Sequence, residues 1–188
     1  MEYKNGEIGV KERLVLSGLS ELEEYGIRDF SLRRVAARAE LSCAAPYRHF
    51  KDKELLILAV ISHVREGWNL LAENIESVYA DDPLGRIVEL SASAVRFWIG
   101  NGSFRAALLT GQSEADEVRR REMSLFDEPI ISAVKAYAEL SGADSDGLAF
   151  TVISMIYGTV TLVAAGREEI NLGIGKLRKM LKKTLSPA

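Results

Sequence analysis

Apolar residues recur every three to four positions along almost the whole chain, which is the spacing of one face of an α-helix. No window of five residues alternates apolar and polar side chains between turn signals, and only four prolines are present to interrupt helices. The pattern predicts an all-α fold of about nine helices. We expect them at about residues 10–25, 31–39, 42–50, 53–79, 84–99, 103–110, 114–140 with an interruption before Pro129, 145–165 and 171–185.

Capping residues mark the ends of the first four helices. Gly26 ends the first helix, and Ser31, Ser42 and Asp52 are the predicted N-caps of the next three. Three short helices followed by a long one are typical of a helix-turn-helix unit, in which one helix crosses the DNA backbone and positions the next in the major groove. We therefore predict a helix-turn-helix DNA-binding domain over residues 1–55, joined by the long helix to a helical domain over residues 56–188.

The composition is that of an ordinary globular protein, with 47% hydrophobic and 27% charged residues among 188. Cys43 is the single cysteine, which excludes an intramolecular disulfide. The first five residues are not the basic and then apolar start of a signal peptide, and no apolar run approaches the roughly 20 residues of a membrane span. We therefore predict a cytoplasmic protein without a membrane partner.

The net charge of −3 argues against nucleic acid, but the charges are unevenly distributed. Residues 26–53 hold seven basic and three acidic side chains, a local surplus that suits phosphate binding. A solvated helical face is the alternative interpretation. The basic residues are Arg28, Arg33, Arg34, Arg38, Arg48, Lys51 and Lys53.

The stretch from Tyr25 to Val60 resembles the N-terminal domain of the TetR/AcrR family of bacterial regulators. Its most specific part is Tyr-x-His-Phe followed by x-x-Lys-x-x-Leu, over residues 47–56. The resemblance is weak after about residue 60, where Phe97 and Gly158 are similar to the AcrR-type ligand-binding branch. It implies a homodimeric transcriptional repressor that binds a palindromic double-stranded DNA operator and is released by a small ligand.

The candidate DNA contacts lie on the second and third predicted helices and at the start of the fourth. The resemblance implies a base or phosphate contact for Arg33 and a phosphate contact for the hydroxyl of Tyr47, with core packing as the alternative for Tyr47. An arginine at the position of Arg33 can bind guanine through two hydrogen bonds, and Arg48 is the residue that we most expect in the groove or at its edge. The full predicted set is Ser31, Arg33, Ser42, Cys43, Ala45, Tyr47, Arg48, His49 and Lys53.

Two residues depart from the family pattern. Glu40 stands in the turn where the family often has glycine, and a left-handed backbone there would cost roughly 1 kcal/mol. Pro46 lies inside the recognition helix near its start, where proline is tolerated. Cys43 falls at about the first position of that helix, so we consider a redox-sensing thiol beside the plainer interpretation as a small groove-facing residue.

The rest of the chain is rich in aromatic and methionine side chains. These either form an ordinary core or line a pocket for a small apolar or amphipathic ligand, and we predict Trp98, Phe104 and Met123 as its lining. The helix around residues 145–165 is apolar on more than one face. Together with the last helix, it is predicted to form a four-helix interface with a twofold-related copy.

An enzyme is the main rival class. The chain has two histidines, one cysteine and no glycine-rich phosphate loop, and a pair such as His63 and Glu66 on one helix face is more typical of a surface contact than of a metal site. We therefore predict no catalytic residue, no metal and no cofactor. The alternative function is a helical small-molecule-binding or adaptor protein without a DNA role, which would lack a coherent basic patch.

Overall fold

Ten α-helices and no strands form the described part of the chain, residues 9–108 and 114–186 of the computed structural model. The prediction of an all-α fold is confirmed. The helices are α1 Val10–Tyr25, α2 Leu32–Arg38, α3 Ala45–His49, α4 Lys53–Val78, α5 Pro83–Gly100, α6 Gly102–Leu108, α7 Glu114–Ser124, α8 Glu128–Ser141, α9 Ser145–Ala164 and α10 Ile170–Leu185.

The predicted helix over residues 114–140 is two helices, which raises the number from nine to ten among the described residues. Pro129 lies in the first turn of α8, where its missing N–H is not needed. Within a continuous helix the same proline would lack a hydrogen bond and would clash with the preceding turn. The break between α7 and α8 therefore follows from Pro129.

Three of the predicted helix boundaries are confirmed by the backbone. Gly26 follows α1 with a φ of 69°, a conformation that glycine adopts without strain. The hydroxyl oxygen of Ser31 accepts a hydrogen bond from the N–H of Arg34 at 3.4 Å. Asp52 caps α4 in the same way, since its Oδ1 accepts from the N–H of Leu55 at 3.0 Å.

Contacts divide the chain into two compact units. The first unit contains the residues up to Arg65 together with Ser103–Met123, and the second contains Glu66–Gly102 together with the residues from Ser124 onward. The long helix α4 contributes its first half to the first unit and its second half to the second unit.

The core of the first unit forms where α1, α2 and the first half of α4 meet. Its central side chains are completely buried: Leu14, Leu22, Val35, Ala36, Leu56, Ile57, Val60 and Ile61. Two ion pairs connect α7 to α4, one between Arg119 and Glu54 and one between Arg65 and Glu122 at 2.6 Å. The helix α2 therefore packs in a common core with α1 and α4, and α7 is joined to α4 by these ion pairs.

The second unit is built on α5, α8, α9 and α10. Its largest buried side chain is Trp68, whose indole N–H donates to the carbonyl oxygen of Phe126 at 2.9 Å. The rings of Phe97 and Trp98 pack against Phe126 with centroids 5.8 and 5.0 Å away. These rings form a packed aromatic cluster inside the unit.

The helix α9 leaves much of its apolar surface uncovered. Of its twenty residues only Val152, Ile156 and Val160 are buried, while Phe150 is 74% exposed. By length and composition alone, α4 and α9 are long and apolar enough to cross a membrane, although no such stretch was expected from the sequence. An apolar helix face of this size needs a cover.

Asp127 is a partly buried carboxyl group just before α8. The hydroxyl of Tyr157 donates to its Oδ1 at 3.2 Å, which favours the charged form. Burial has the larger effect and raises the pKa of Asp127 from 3.8 to about 6. Because the folded-state pKa is the higher one, the folded protein binds this proton more tightly than the unfolded protein does.

We predict that Asp127 makes the free energy of unfolding decrease as the pH rises from about 4 to about 6, by on the order of 2–3 kcal/mol. Asp127→Asn should remove this part of the pH dependence, because an amide stays neutral. Urea unfolding of both proteins at several pH values measures the difference. A difference that is the same at pH 4 and pH 7 would contradict the prediction.

Candidate nucleic-acid interface

The helix-turn-helix consists of α2, a connection over residues 39–44, and α3. Its inner side is apolar: Val35 and Ala36 of α2 are completely buried, and Ala45, Pro46 and Phe50 are buried at or beside α3. A helix of five residues has no stability of its own, so these buried contacts determine its position. The side chains on the opposite side of α3 are thereby fixed toward solvent.

Glu40 has a φ of 56° and is the one non-glycine residue with positive φ among the described residues. The left-handed backbone that the sequence analysis considered at this position is therefore present. Backbone hydrogen bonds hold the turn on both sides of it, including one from the N–H of Leu41 to the carbonyl oxygen of Ala36 at 2.8 Å. The turn between the two helices is thus stabilised by main-chain contacts despite the strain at Glu40.

The predicted start of the third helix at Ser42 is wrong. The helix begins at Ala45, Ala44 is its N-cap residue, and no side chain caps it. The cause is Pro46, which has no N–H to donate to the carbonyl oxygen of Ser42, so that no α-helical bond can start there. Instead, the N–H of Ala45 donates to this oxygen at 2.9 Å.

This shift changes the surroundings of Cys43. The thiol is exposed and lies in the turn before α3, not at the first helical position. The redox-sensing thiol considered from the sequence depended on the first helical position and therefore loses this basis. Ser42 is exposed in the same turn.

Six of the nine predicted DNA contacts are exposed. Tyr47 is 64% exposed, so the alternative of core packing does not hold for it. Ala45 is only 8% exposed, and its side chain lies on the packed side of α3. The six exposed residues are Arg33, Ser42, Cys43, Tyr47, Arg48 and His49.

Ser31 and Lys53 both have partners within the protein. The hydroxyl oxygen of Ser31 caps α2, and its N–H donates to Oε1 of Glu21 at 3.1 Å. The ammonium of Lys53 donates to the carbonyl oxygen of Ile27 at 3.2 Å. Both are half-buried, so a phosphate would compete with these bonds.

The basic surplus seen in the sequence is partly neutralised by α1. Arg34 pairs with Glu21 and Arg38 pairs with Glu24, each at 2.6 Å. Both carboxylates lie before residue 26, so they were not included in the count of charges over residues 26–53. In the described part of the chain, the exposed cations of this surface without such a pair are Arg28, Arg33, Arg48 and Lys51.

The buried position of Glu21 and its pairing with α2 were not predicted from the sequence. The signal was present, since Glu21 follows Leu14 and Gly18 by seven and three positions and therefore lies on the apolar face of α1. Its side chain is completely buried. A carboxylate on such a face requires a partner from another element.

The three predicted pocket residues fall in both compact units. Trp98 is 3% exposed and belongs to the aromatic cluster of the second unit, whereas Phe104 is completely buried in the first unit. Met123 is half-buried in the first unit. Within the described residues, no group of three His, Cys, Asp or Glu side chains could hold a metal ion.

Residues 15–60 match the family model of bacterial regulatory proteins, tetR family. The resemblance stated from the sequence is thereby confirmed over the helix-turn-helix and the start of α4. No curated protein sequence matches the chain.

Solved structures with the same fold extend over both units. A TetR transcription regulator from Haloarcula marismortui is 18% identical, with 93% of this chain and 95% of that chain covered and a TM-score of 0.71. NalD of Pseudomonas aeruginosa, the secondary repressor of the MexAB-OprM multidrug efflux pump, is 17% identical over 93% and 96%, with a TM-score of 0.73. The transcriptional regulator FadR of Bacillus subtilis, in complex with stearoyl-CoA, is 13% identical over 90% and 96%, with a TM-score of 0.72.

Proposed function

Since residues 15–60 match the family model of bacterial regulatory proteins, tetR family, we propose that the chain binds an operator through the outward face of α3. The observation that carries the proposal is the two-sided character of this helix. Ala45 and Pro46 are buried, whereas Tyr47, Arg48 and His49 are exposed together. A short helix with a packed inner side and a polar outer side suits insertion into the major groove.

The exposed residues have different roles in this proposal. Arg48 reads a base edge or its neighbouring phosphate, because its guanidinium can form two parallel hydrogen bonds. Tyr47 and His49 donate hydrogen bonds to phosphates, and Arg33 and Lys51 add positive charge on either side of α3. Ser42 and Cys43 are small enough to let the turn approach the DNA backbone closely.

We further propose that a second copy of the chain covers α9 and α10. These helices line an apolar groove of about 510 Å³ whose residues include Phe150, Met155, Leu162 and Met180. A twofold dimer through this groove would present two DNA-binding heads to a palindromic operator. Insertion of α9 into a membrane is the competing explanation for its exposed apolar face. The sedimentation experiment below distinguishes it from a dimer.

Release by a ligand is the regulatory part of the proposal. The chain shares its fold with a repressor, NalD, and with FadR in complex with stearoyl-CoA, which supports a repressor that responds to a small apolar or amphipathic molecule. Within a ligand-binding and dimerisation domain over residues 56–188, Trp98 remains a proposed lining residue. Phe104 and Met123 belong to the first unit, so they are not assigned to the same pocket as Trp98. A ligand that binds more tightly when the two DNA-binding heads are spread apart lowers the DNA affinity. The loss equals the difference between the ligand's affinities for the spread state and the DNA-binding state. We propose a cytoplasmic location for such a regulator.

We predict that Arg48→Ala weakens DNA binding about tenfold or more and reduces its salt dependence by about 0.9 per lost phosphate contact. The duplex should be one that the wild-type protein enriches from a random-sequence pool. Fluorescence anisotropy across a salt series measures both quantities.

Arg96→Ala is the matched control, because Arg96 is an exposed arginine on α5 in the second unit. It should bind as the wild type does. Failure of the wild type to enrich any duplex, or equal binding by the Arg48→Ala protein, would contradict the proposed function.

We predict that Leu162→Glu converts a dimer into monomers, because the charge would be buried without a partner in the interface. Leu140→Glu is the control, since Leu140 is 76% exposed on α8 and is not among the residues lining the groove. Sedimentation equilibrium measures the dimer dissociation constant, which should rise more than about a hundredfold for Leu162→Glu only. A monomeric wild type that sediments with phosphatidylcholine vesicles would contradict the dimer and favour membrane insertion.

A further inference from the structure

Glu21 is a completely buried carboxylate at the contact between α1 and α2. Burying a carboxylate is unfavourable unless hydrogen bonds and an opposite charge compensate for the lost water. In Glu21 one oxygen, Oε1, receives all of the described compensation, and Oε2 has no described partner. Because a single oxygen accepts these hydrogen bonds, the groups that donate to it must lie close together.

The donors to Oε1 come from the beginning of α2. The N–H of Ser31 lies 3.1 Å from Oε1, the Nε of Arg34 lies 2.8 Å away, and Nη2 of Arg34 lies 2.6 Å away. One carboxylate oxygen thus binds both the N-cap residue and the third residue of α2. The N-terminal turn of α2 is held on α1 at this point.

The guanidinium of Arg34 makes two more contacts with the same region. It donates to the carbonyl oxygen of Asp29 and lies over the ring of Tyr25, 4.2 Å from its centroid. Carboxylate, carbonyl and aromatic contacts together direct the guanidinium back toward α1 and the turn that follows it. Arg33, the preceding residue, is exposed and points about 100° away around the helix.

A second, exposed ion pair lies beside the first. Arg38 donates to Glu24 at 2.6 Å, three residues after Glu21 on α1 and four residues after Arg34 on α2. Hydrogen bonds from the Tyr25 hydroxyl and from Arg38 hold the pKa of Glu24 below its usual range. In the first pair only the carboxylate of Glu21 is buried, whereas both partners of the second pair are exposed, so the second pair adds little energy of its own.

We infer that Glu21 and Arg34 are positioning residues for DNA recognition. Their pair fixes the start of α2 on α1 and so orients Arg33 and α3, while Arg34 itself contacts no phosphate. This inference rests on the proposed function, because positioning has a meaning only if α3 binds DNA. It separates Arg34 from the neighbouring arginines, which the sequence alone leaves equivalent.

The test compares Arg34→Ala, Glu21→Gln and the double variant with Lys51→Ala, which removes an exposed cation. Glu21→Gln keeps Oε1 as an acceptor and removes the charge. The probes are the duplex enriched by the wild type from a random-sequence pool and a scrambled duplex of equal length. Thermal unfolding of each protein verifies that it is folded at the assay temperature.

Arg34→Ala should weaken binding to the enriched duplex about tenfold, the equivalent of one charge-assisted hydrogen bond, without changing the salt slope or the affinity for the scrambled duplex. Glu21→Gln should have a similar effect, and the double variant should be no worse than either single variant, because both remove one interaction. Lys51→Ala should reduce the salt slope by about 0.9 per head and weaken both duplexes.

Arg34→Lys completes the set and covers the case in which Arg34→Ala does not fold. Lysine keeps the charge but cannot reproduce the forked contacts or the stacking on Tyr25, so binding should stay impaired. Rescue by lysine, a smaller salt slope for Arg34→Ala, or additive losses in the double variant would overturn the inference. If the wild type enriches no duplex, the proposed function fails, and the inference fails with it.

Discussion

The close contact of α1 with the first half of α4 supports every other feature of the N-terminal unit. A Cβ atom on Gly18 would lie 3.0 Å from Cγ2 of Val60, so a larger residue at this position would require Val60 to shift. Around it Leu14, Leu22 and Leu56 are completely buried. Because α1 and α4 supply most of the apolar core, α2 and α3 can be short and can keep polar outer faces. A polar outer face on a rigid support is what DNA recognition requires.

The net positive charge of the helix-turn-helix region depends on which basic side chains form ion pairs, and not only on how many are present. The chain is acidic as a whole, and α1 neutralises Arg34 and Arg38 through Glu21 and Glu24. The exposed cations of the helix-turn-helix region without such a pair are Arg28, Arg33, Arg48 and Lys51. The first unit thereby separates arginines that stabilise the α1–α2 contact from arginines that are available to phosphates. A count of basic residues along the sequence cannot make this distinction, because it does not show which arginines form ion pairs with α1.

Local signals predicted the fold well because they act over a few residues. Caps at Ser31 and Asp52 and the turn at Gly26 are set by their own neighbours, and each lies where the pattern places it. The predicted start of α3 at Ser42 was wrong because Pro46 has no N–H, and this missing donor outweighed the capping ability of Ser42. Glu21 was missed because its partner is ten or more residues away. The sequence showed that α9 is apolar on more than one face, but which of its residues stay exposed was known only from the packing of the second unit.

If the outward face of α3 enters the major groove, the turn before α3 faces the DNA, and Cys43 allows a direct measurement of this. Cys43 is the single cysteine of the chain and is exposed in that turn. Alkylation by N-ethylmaleimide should slow in proportion to the fraction of protein bound to the enriched duplex, and salt should restore the free rate. A Cys43→Ser protein carrying Arg96→Cys should react at one rate with and without DNA. Equal rates at Cys43 with and without saturating duplex would contradict the account.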